Sequence, residues 1–251
     1  MELKQQIGWQ PDQIDLIEVL SGDVPQNALD YIQKYKSEAK QVQRDTGLDW
    51  MFIIAHSGIE SGWGKHAPNF NFFGIKASSS WTGDRALLLT WEATKTGKLN
   101  LQAGAVSVRI YKPGETGNPF GSRYYGHRIK DWFRAYPNAK ASFQDYAKLL
   151  QKPRYAEAWE YRTQPNEFGT RIMAAGYGTD PSYPSKLDGS LNWVRESQGL
   201  PPVFVDRSRR STTTATPPAA SAKGKFPIAA ALVVTAGLGL LGWGIYESVN
   251  A

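Results

Sequence analysis

Three side chains in this sequence have a type and setting suited to acid–base chemistry: Glu60, Glu92 and Tyr177. Glu60 ends the run DWMFIIAHSGIE, where Trp50 to Ile59 are apolar almost all round a helical projection, the pattern of a helix buried in a core. Lying seven positions after Ile53, it projects within roughly 20° of that residue and so faces inward. Ser61-Gly62-Trp63-Gly64 then breaks the helix, because two glycines one residue apart free the backbone to turn sharply. The carboxyl is left at the lip of the fold. Burial disfavours the charged form of a carboxyl, and a Glu kept protonated near neutral pH serves as a general acid. Taken by itself, such a residue could equally cap a turn or pair with Lys65 or His66. Its surroundings favour chemistry: Gly58, Gly62, Gly64 and Gly74 with Trp63, Phe70, Phe72, Phe73 and Trp81 put small residues and flat rings around one acid, as in a cleft for a sugar face.

The elements that must position these groups can be read from periodicity and turn signals. Leu29, Ile32, Tyr35, Ala39 and Val42 predict a helix from Pro25 to Thr46, ended by Gly47. Asp49 stands where an N-cap belongs and starts the helix that carries Glu60. Between Lys76 and Tyr136 the period becomes alternating. Leu87, Leu89 and Trp91 take one face, Leu88, Thr90 and Glu92 the other, and Val106, Val108 and Ile110 repeat the pattern. Thr82-Gly83-Asp84, Lys95-Thr96-Gly97 and Pro113-Gly114 supply turns. The expectation is a small antiparallel β-lobe in an otherwise helical domain, with residues 95–126 forming a lid or a plain loop. Glu92 points either to solvent or to the cleft. Helical spacing returns through Phe143, Tyr146, Ala147 and Leu150 with Ser142 as cap, and again from Pro165 through Ile172 and Met173 to a stop at Gly176. Tyr177 follows that stop in a turn, where its phenol can project into the cleft.

The string IESGWGKHAPNFNFFGIKASSSWTGD resembles the signature of the glycoside hydrolase family 73 glucosaminidases, and AGYGTDPSYPSKL matches that family's second landmark near the domain's end. The resemblance covers residues 24 to 197. It implies a mainly α, lysozyme-like fold with a β-lobe, acting as an endo-β-N-acetylglucosaminidase on the glycan strands of peptidoglycan. It further implies Glu60 as acid, Glu92 as the second carboxylate that delivers water or acts as nucleophile, and Tyr177 as the active-site tyrosine. Trp63, Asn71, Phe73, Lys76, Trp81 and Tyr183 fall in the matched motifs as sugar-binding candidates. A lytic transglycosylase with a single Glu, or a catalytically silent wall-binding anchor, remain as alternatives.

Composition sets the remaining bounds. A formal charge of +6 and nine Trp and twelve Tyr in 251 residues suit an anionic wall polymer or lipid surface. No basic run interleaved with aromatics marks a nucleic-acid binder. With no Cys, disulfides and thiol chemistry are excluded. Three His without ligand spacing leave no metal or cofactor expected. His56, one helical turn before Glu60, fits a hydrogen bond that tunes the acid better than an incomplete metal pair. The chain divides into an N-terminal extension (1–23) with no secretory signal but a possible short helix at Ile14–Leu20, a catalytic domain (24–199), a Pro/Ser/Thr/Ala linker (200–225), an uncharged stretch (226–246) and a tail (247–251). At about 1.5 Å per residue, that uncharged stretch matches the roughly 30 Å of a bilayer's hydrocarbon, with Trp243 and Tyr246 at the interface, so one transmembrane helix is expected. Ala231, Thr235 and Gly239 form a small-residue stripe on which two such helices could meet. The expected location is a membrane, either inside a bacteriophage particle or in a bacterial envelope.

Overall fold

A computed structural model describes residues 24–178 and 182–205. The N-terminal extension, the stretch at 226–246 and the residues of its small-residue stripe lie outside the described residues. No helix among the described residues is long and apolar enough to cross a membrane.

The chain opens with α1 (Gln26–Thr46), which ends at Gly47 in the left-handed conformation (φ 78°). Asp49 then caps α2 (Trp50–Ser61) by accepting from Met51 N at 2.8 Å and Phe52 N at 3.0 Å, a contribution of about 1 kcal/mol. As its apolar circumference requires, α2 is the central helix, with Phe52, Ile53, Ile54 and Ala55 wholly buried. It packs on α1 and on α5 (Pro165–Ala174) and α6 (Tyr183–Glu196). The break after Glu60 follows the glycines: Gly62 adopts φ 59° and Gly64 φ 83°, and Trp63 between them is itself at φ 57°. Ser61 fixes the turn, its hydroxyl donating to Ser57 O at 2.6 Å and accepting from Gly64 N at 2.8 Å. Trp63 folds back over Gly58, where a Cβ would meet the indole at 2.6 Å. Only glycine admits that ring.

The β-lobe is a three-stranded antiparallel sheet in the order β1 (Arg85–Thr94), β3 (Tyr125–Arg134), β2 (Val106–Tyr111). Ile110 does not share a face with Val106 as the alternation suggests. A bulge between Ser107 and Arg109 shifts the register, so Val106 faces Lys130 while Ile110 faces His127. The 95–126 insertion is more than a loop, since it carries β2. Its outer turn is tied by Asn118, whose Nδ2 donates to Lys112 O at 2.9 Å and Tyr124 O at 2.8 Å.

Two polar clamps fasten the lobe to the helices. Asn71 closes the turn after α2, its Nδ2 donating to Ile75 O at 2.9 Å and Arg134 O at 3.0 Å while its Oδ1 accepts from Ile75 N at 2.9 Å. Arg134 pairs with Asp145 at 2.7 Å, and Asp145 also accepts from the Tyr136 hydroxyl at 2.6 Å. Asp145 lies on α3 (Ala139–Leu150), whose cap is Asn138 and not Ser142; Ser142 sits buried inside the helix. The short α4 (Ala156–Trp159) leads on to α5. Past α6 the chain stays attached: Asn192 accepts from Val203 N at 2.9 Å and donates to Val203 O at 3.2 Å. The first residues of the Pro-rich stretch therefore pack on the domain.

Candidate active site

Glu60 occupies the end of α2 with its side chain only 1% exposed. The Tyr183 hydroxyl, at the start of α6, donates to Oε1. His56 Nε2 lies 3.2 Å from the same oxygen. Oε2 has no hydrogen-bond partner among the described residues. A buried acid with one oxygen held and the other unsatisfied is costly to fold around, and it leaves a lone pair or a proton for a ligand to meet.

Behind the acid stands a stack of buried polar rings. His56 is fully buried and its Nδ1 lies 2.5 Å from the Tyr146 hydroxyl. Two proton arrangements fit. In one, Tyr146 donates to Nδ1 and the Nε2 hydrogen faces a Glu60 carboxylate. In the other, Nδ1 donates to Tyr146 and the Nε2 lone pair faces a protonated Glu60. Tyr177 packs on His56 with ring centroids 4.8 Å apart; its buried hydroxyl neighbours the Tyr146 phenol and has no partner of hydrogen-bond geometry among the described residues. Burial pushes the Tyr177 phenol well above its ordinary range, and the neighbouring Tyr146 and Glu60 push it the same way. Burial does the same to Tyr146. Both remain neutral hydroxyls throughout the physiological range.

Glu92 belongs to a separate cluster. Its carboxylate meets the buried Lys76 ammonium, which also lies 2.9 Å from Asp131 Oδ2. Burial alone would lower the Lys76 pKa; Glu92 and then Asp131 outweigh it and hold the ammonium above its ordinary range. Gln102, on the loop before β2, donates to the other Asp131 oxygen at 3.1 Å. No hydrogen bond or ion pair among the described residues joins this triad to Glu60.

The sugar-binding candidates divide. Phe73 is core: it is fully buried and stacks on Tyr146 with centroids 3.7 Å apart and planes 9° from parallel. Asn71 is spent on backbone clamps, Lys76 on its carboxylates, and Tyr183 on Glu60. Each is buried. Trp63 and Trp81 keep partly exposed rings. Trp81 is anchored by its Nε1 donating to Asp84 O at 2.9 Å, with the Arg134 guanidinium 4.4 Å from its centroid. Phe70 is exposed in an unusual setting, since it and Asn69 both adopt left-handed backbone, φ 55° and 54°. For a phenylalanine that is strained, and strain of this kind concentrates at functional surfaces. Sequence reasoning missed Tyr146 and Asp131 as site residues: the first reads as one more apolar helix position, and the second sits in a strand that charge disguises. Among the described residues, no three His, Asp or Glu side chains converge on a metal position.

A profile described as mannosyl-glycoprotein endo-β-N-acetylglucosaminidase matches residues 36–194. The chain belongs to the glucosaminidase family. Its relatives include the peptidoglycan hydrolase FlgJ of Salmonella typhimurium, 27% identical over 184 residues that cover 70% of this chain and 48% of that protein. The autolysin of Enterococcus faecalis is 29% identical over 177 residues, covering 66% of this chain and 20% of that protein. Among solved structures, the catalytic domain of the autolysin Auto from Listeria monocytogenes superposes with a TM-score of 0.51 at 22% identity, over 76% of this chain and 97% of that one; that likeness speaks to the fold. The chain spans about half the length, or less, of the curated relatives it matches. The matched region takes in α2 with Glu60, the whole sheet and the Tyr177 turn.

Proposed function

We propose that this glucosaminidase-family chain is a peptidoglycan hydrolase that cleaves β-1,4 glycosidic bonds of the glycan strand, as an endo-β-N-acetylglucosaminidase. The observation that carries the reading is the Glu60 carboxyl, buried, held through Oε1 by Tyr183 and without a partner at Oε2 among the described residues. In its protonated form Glu60 gives its proton to the leaving glycosidic oxygen, and Tyr177 offers its neutral hydroxyl to the reacting sugar or to water. Glu92, oriented by Lys76, is the carboxylate assigned to water delivery. The names of the relatives support peptidoglycan as the substrate.

The separate engagement of Glu92 by Lys76 favours a second reading, in which Glu60 acts alone and the sugar supplies its own nucleophile, as in a lytic transglycosylase. Mass spectrometry of fragments from purified sacculi separates the two, because hydrolysis leaves reducing ends and transglycosylation leaves anhydro-sugar ends. Glu60→Gln is expected to abolish fragment release while the thermal transition stays cooperative; undiminished release removes the assignment. Hydrolysis by neither protein, with wall binding retained, would make the domain an anchor.

Location completes the proposal. The uncharged stretch at 226–246 would tether the enzyme to a bilayer, in an envelope or inside a phage particle whose membrane is later delivered to the wall. Basic residues, Lys223 and Lys225 among them, directly precede that stretch, which favours an inside position for the domain during synthesis. Recovery of the chain from washed membranes by detergent, and not by high salt or alkali, would support the tether; release by alkali alone would remove it.

A further inference from the structure

One face of the sheet has a composition that the proposed chemistry does not use. Directly paired residues of antiparallel strands share a face, so the register places Leu89, Lys130 and Val106 in one row, Leu87 beside Trp132 in the next, and Trp91, Arg128 and Arg109 in a third. Leu87, Leu89, Val106 and, at the bulge, Val108 are 38%, 50%, 51% and 50% exposed. Arg85, Arg109 and Lys130 are exposed with them. The acids of the strands, Glu92 and Asp131, alternate onto the opposite face, and Glu115 reaches this one only to pair with Arg109 at 2.7 Å. Aliphatic tips ringed by cations are left standing in the open.

The ring geometry narrows the occupant. Arg85 lies 4.3 Å from the Trp132 centroid, Arg109 4.2 Å from that of Tyr111, and Arg128 6.0 Å from that of Trp91. Guanidinium groups already cover the aromatic faces that a sugar would stack on. A second copy docked face to face would bring like charges together. Exposed Leu and Val have no use on a soluble polyanion. Aliphatic side chains that enter an apolar layer while Arg and Lys stay among anionic headgroups describe a lipid interface. A bilayer is also what the uncharged stretch from Phe226 to Tyr246 fits by length and composition.

We propose that this face of the sheet, centred on Leu89, Val106, Val108 and Lys130, docks onto an anionic lipid bilayer. Docking there sets the orientation of the domain against the membrane, and with it the side from which glycan reaches Glu60.

The 251-residue chain has no Cys, so Val108→Cys gives it a single thiol for a polarity-sensitive dye, with Lys34→Cys on α1 as the reference site. The expected result in phosphatidylcholine vesicles containing phosphatidylglycerol is a blue shift of the Val108 dye and none at position 34. That shift should vanish in pure phosphatidylcholine, at about 1 M salt, where the screening length is about 3 Å, and in the Lys130→Glu background. Leu89→Ser, at an exposed position, should diminish it with no change in melting temperature. Equal shifts in both lipids or at both sites would overturn the proposal, as would a Val108 shift that grows with protein concentration in the absence of lipid. Wall digestion by the labelled protein is measured separately, so loss of activity and loss of docking are independent results.

Discussion

Tyr183 and Glu60 stand 123 residues apart in the sequence, and the Tyr183 hydroxyl donates to Glu60 Oε1. The bond joins the end of α2 to the start of α6, two helices that pack along each other. It also sets the two carboxyl oxygens apart. With Oε1 held by Tyr183 and faced by His56, Oε2 is the oxygen left, among the described residues, to carry the proton that the proposed mechanism gives to a glycosidic oxygen.

Tyr183→Phe removes the donor and keeps the ring. As Glu60 gives up its proton the carboxyl becomes charged, and a hydrogen bond to a charged group contributes about 1.5–3 kcal/mol, so kcat on purified sacculi should fall roughly ten- to a hundredfold. KM should hold, because the hydroxyl is buried against Glu60 and not presented to substrate. A raised KM with unchanged kcat would return Tyr183 to the sugar-binding set.

Lys76 tests how the second carboxylate is held. Lys76→Met strands Glu92 and Asp131 without their shared cation, and breaking a buried pair in this way costs about 3–5 kcal/mol. Glu92→Gln leaves Lys76 its Asp131 partner at 2.9 Å and should cost far less stability in urea unfolding. If Glu92 delivers water, the same Gln variant loses roughly 10²- to 10⁴-fold in kcat; retained activity would mark the Glu92–Lys76–Asp131 cluster as structural and leave Glu60 to act alone.

His127 makes stability depend on pH. Burial lowers its pKa below 6.5, and its Nε2 lies 2.7 Å from the Thr94 hydroxyl. Below pH 6.5 the unfolded chain therefore binds a proton that the folded chain resists. The contribution is complete above that pH and is lost as the pH falls toward the depressed folded value. Thermal melts should show His127→Gln losing less stability than the parent on acidification from pH 7 toward about pH 5; parallel curves would show that His127 titrates alike in both states.

The acid's helix was legible because local signals agreed with the packing. Asp49 caps where an N-cap was expected, the apolar circumference is buried on every side, and the two glycines turn the chain with positive φ. The central strand was not. Tyr125–Arg134 reads as mixed charge and aromatics, yet its His127 and Asp131 are buried because Thr94, Lys76 and Gln102 meet their polar atoms. Those partners come from other strands and loops, so no periodicity could announce them. The motif likewise marked Phe73 and Asn71 without showing depth. Family patterns hold residues that support a cleft as firmly as residues that line it, and only the stacking on Tyr146 and the clamp on Ile75 and Arg134 distinguish the two.

Tyr177 separates a supporting ring from an acting one. Its buried hydroxyl has no partner of hydrogen-bond geometry among the described residues, and a buried hydroxyl left unsatisfied costs about 1–3 kcal/mol. Tyr177→Phe should therefore leave the melting temperature unchanged or raise it, the opposite of removing a bonded phenol such as Tyr146, which would strip His56 Nδ1 of its partner. Activity should move the other way. If the hydroxyl completes its hydrogen bond only when sugar or water occupies the site, kcat falls by roughly ten- to a hundredfold in a protein at least as stable as the parent. Phe at 177 with full activity would place the cost of that buried hydroxyl outside catalysis, and a drop in stability would show that a partner satisfies it in the folded enzyme.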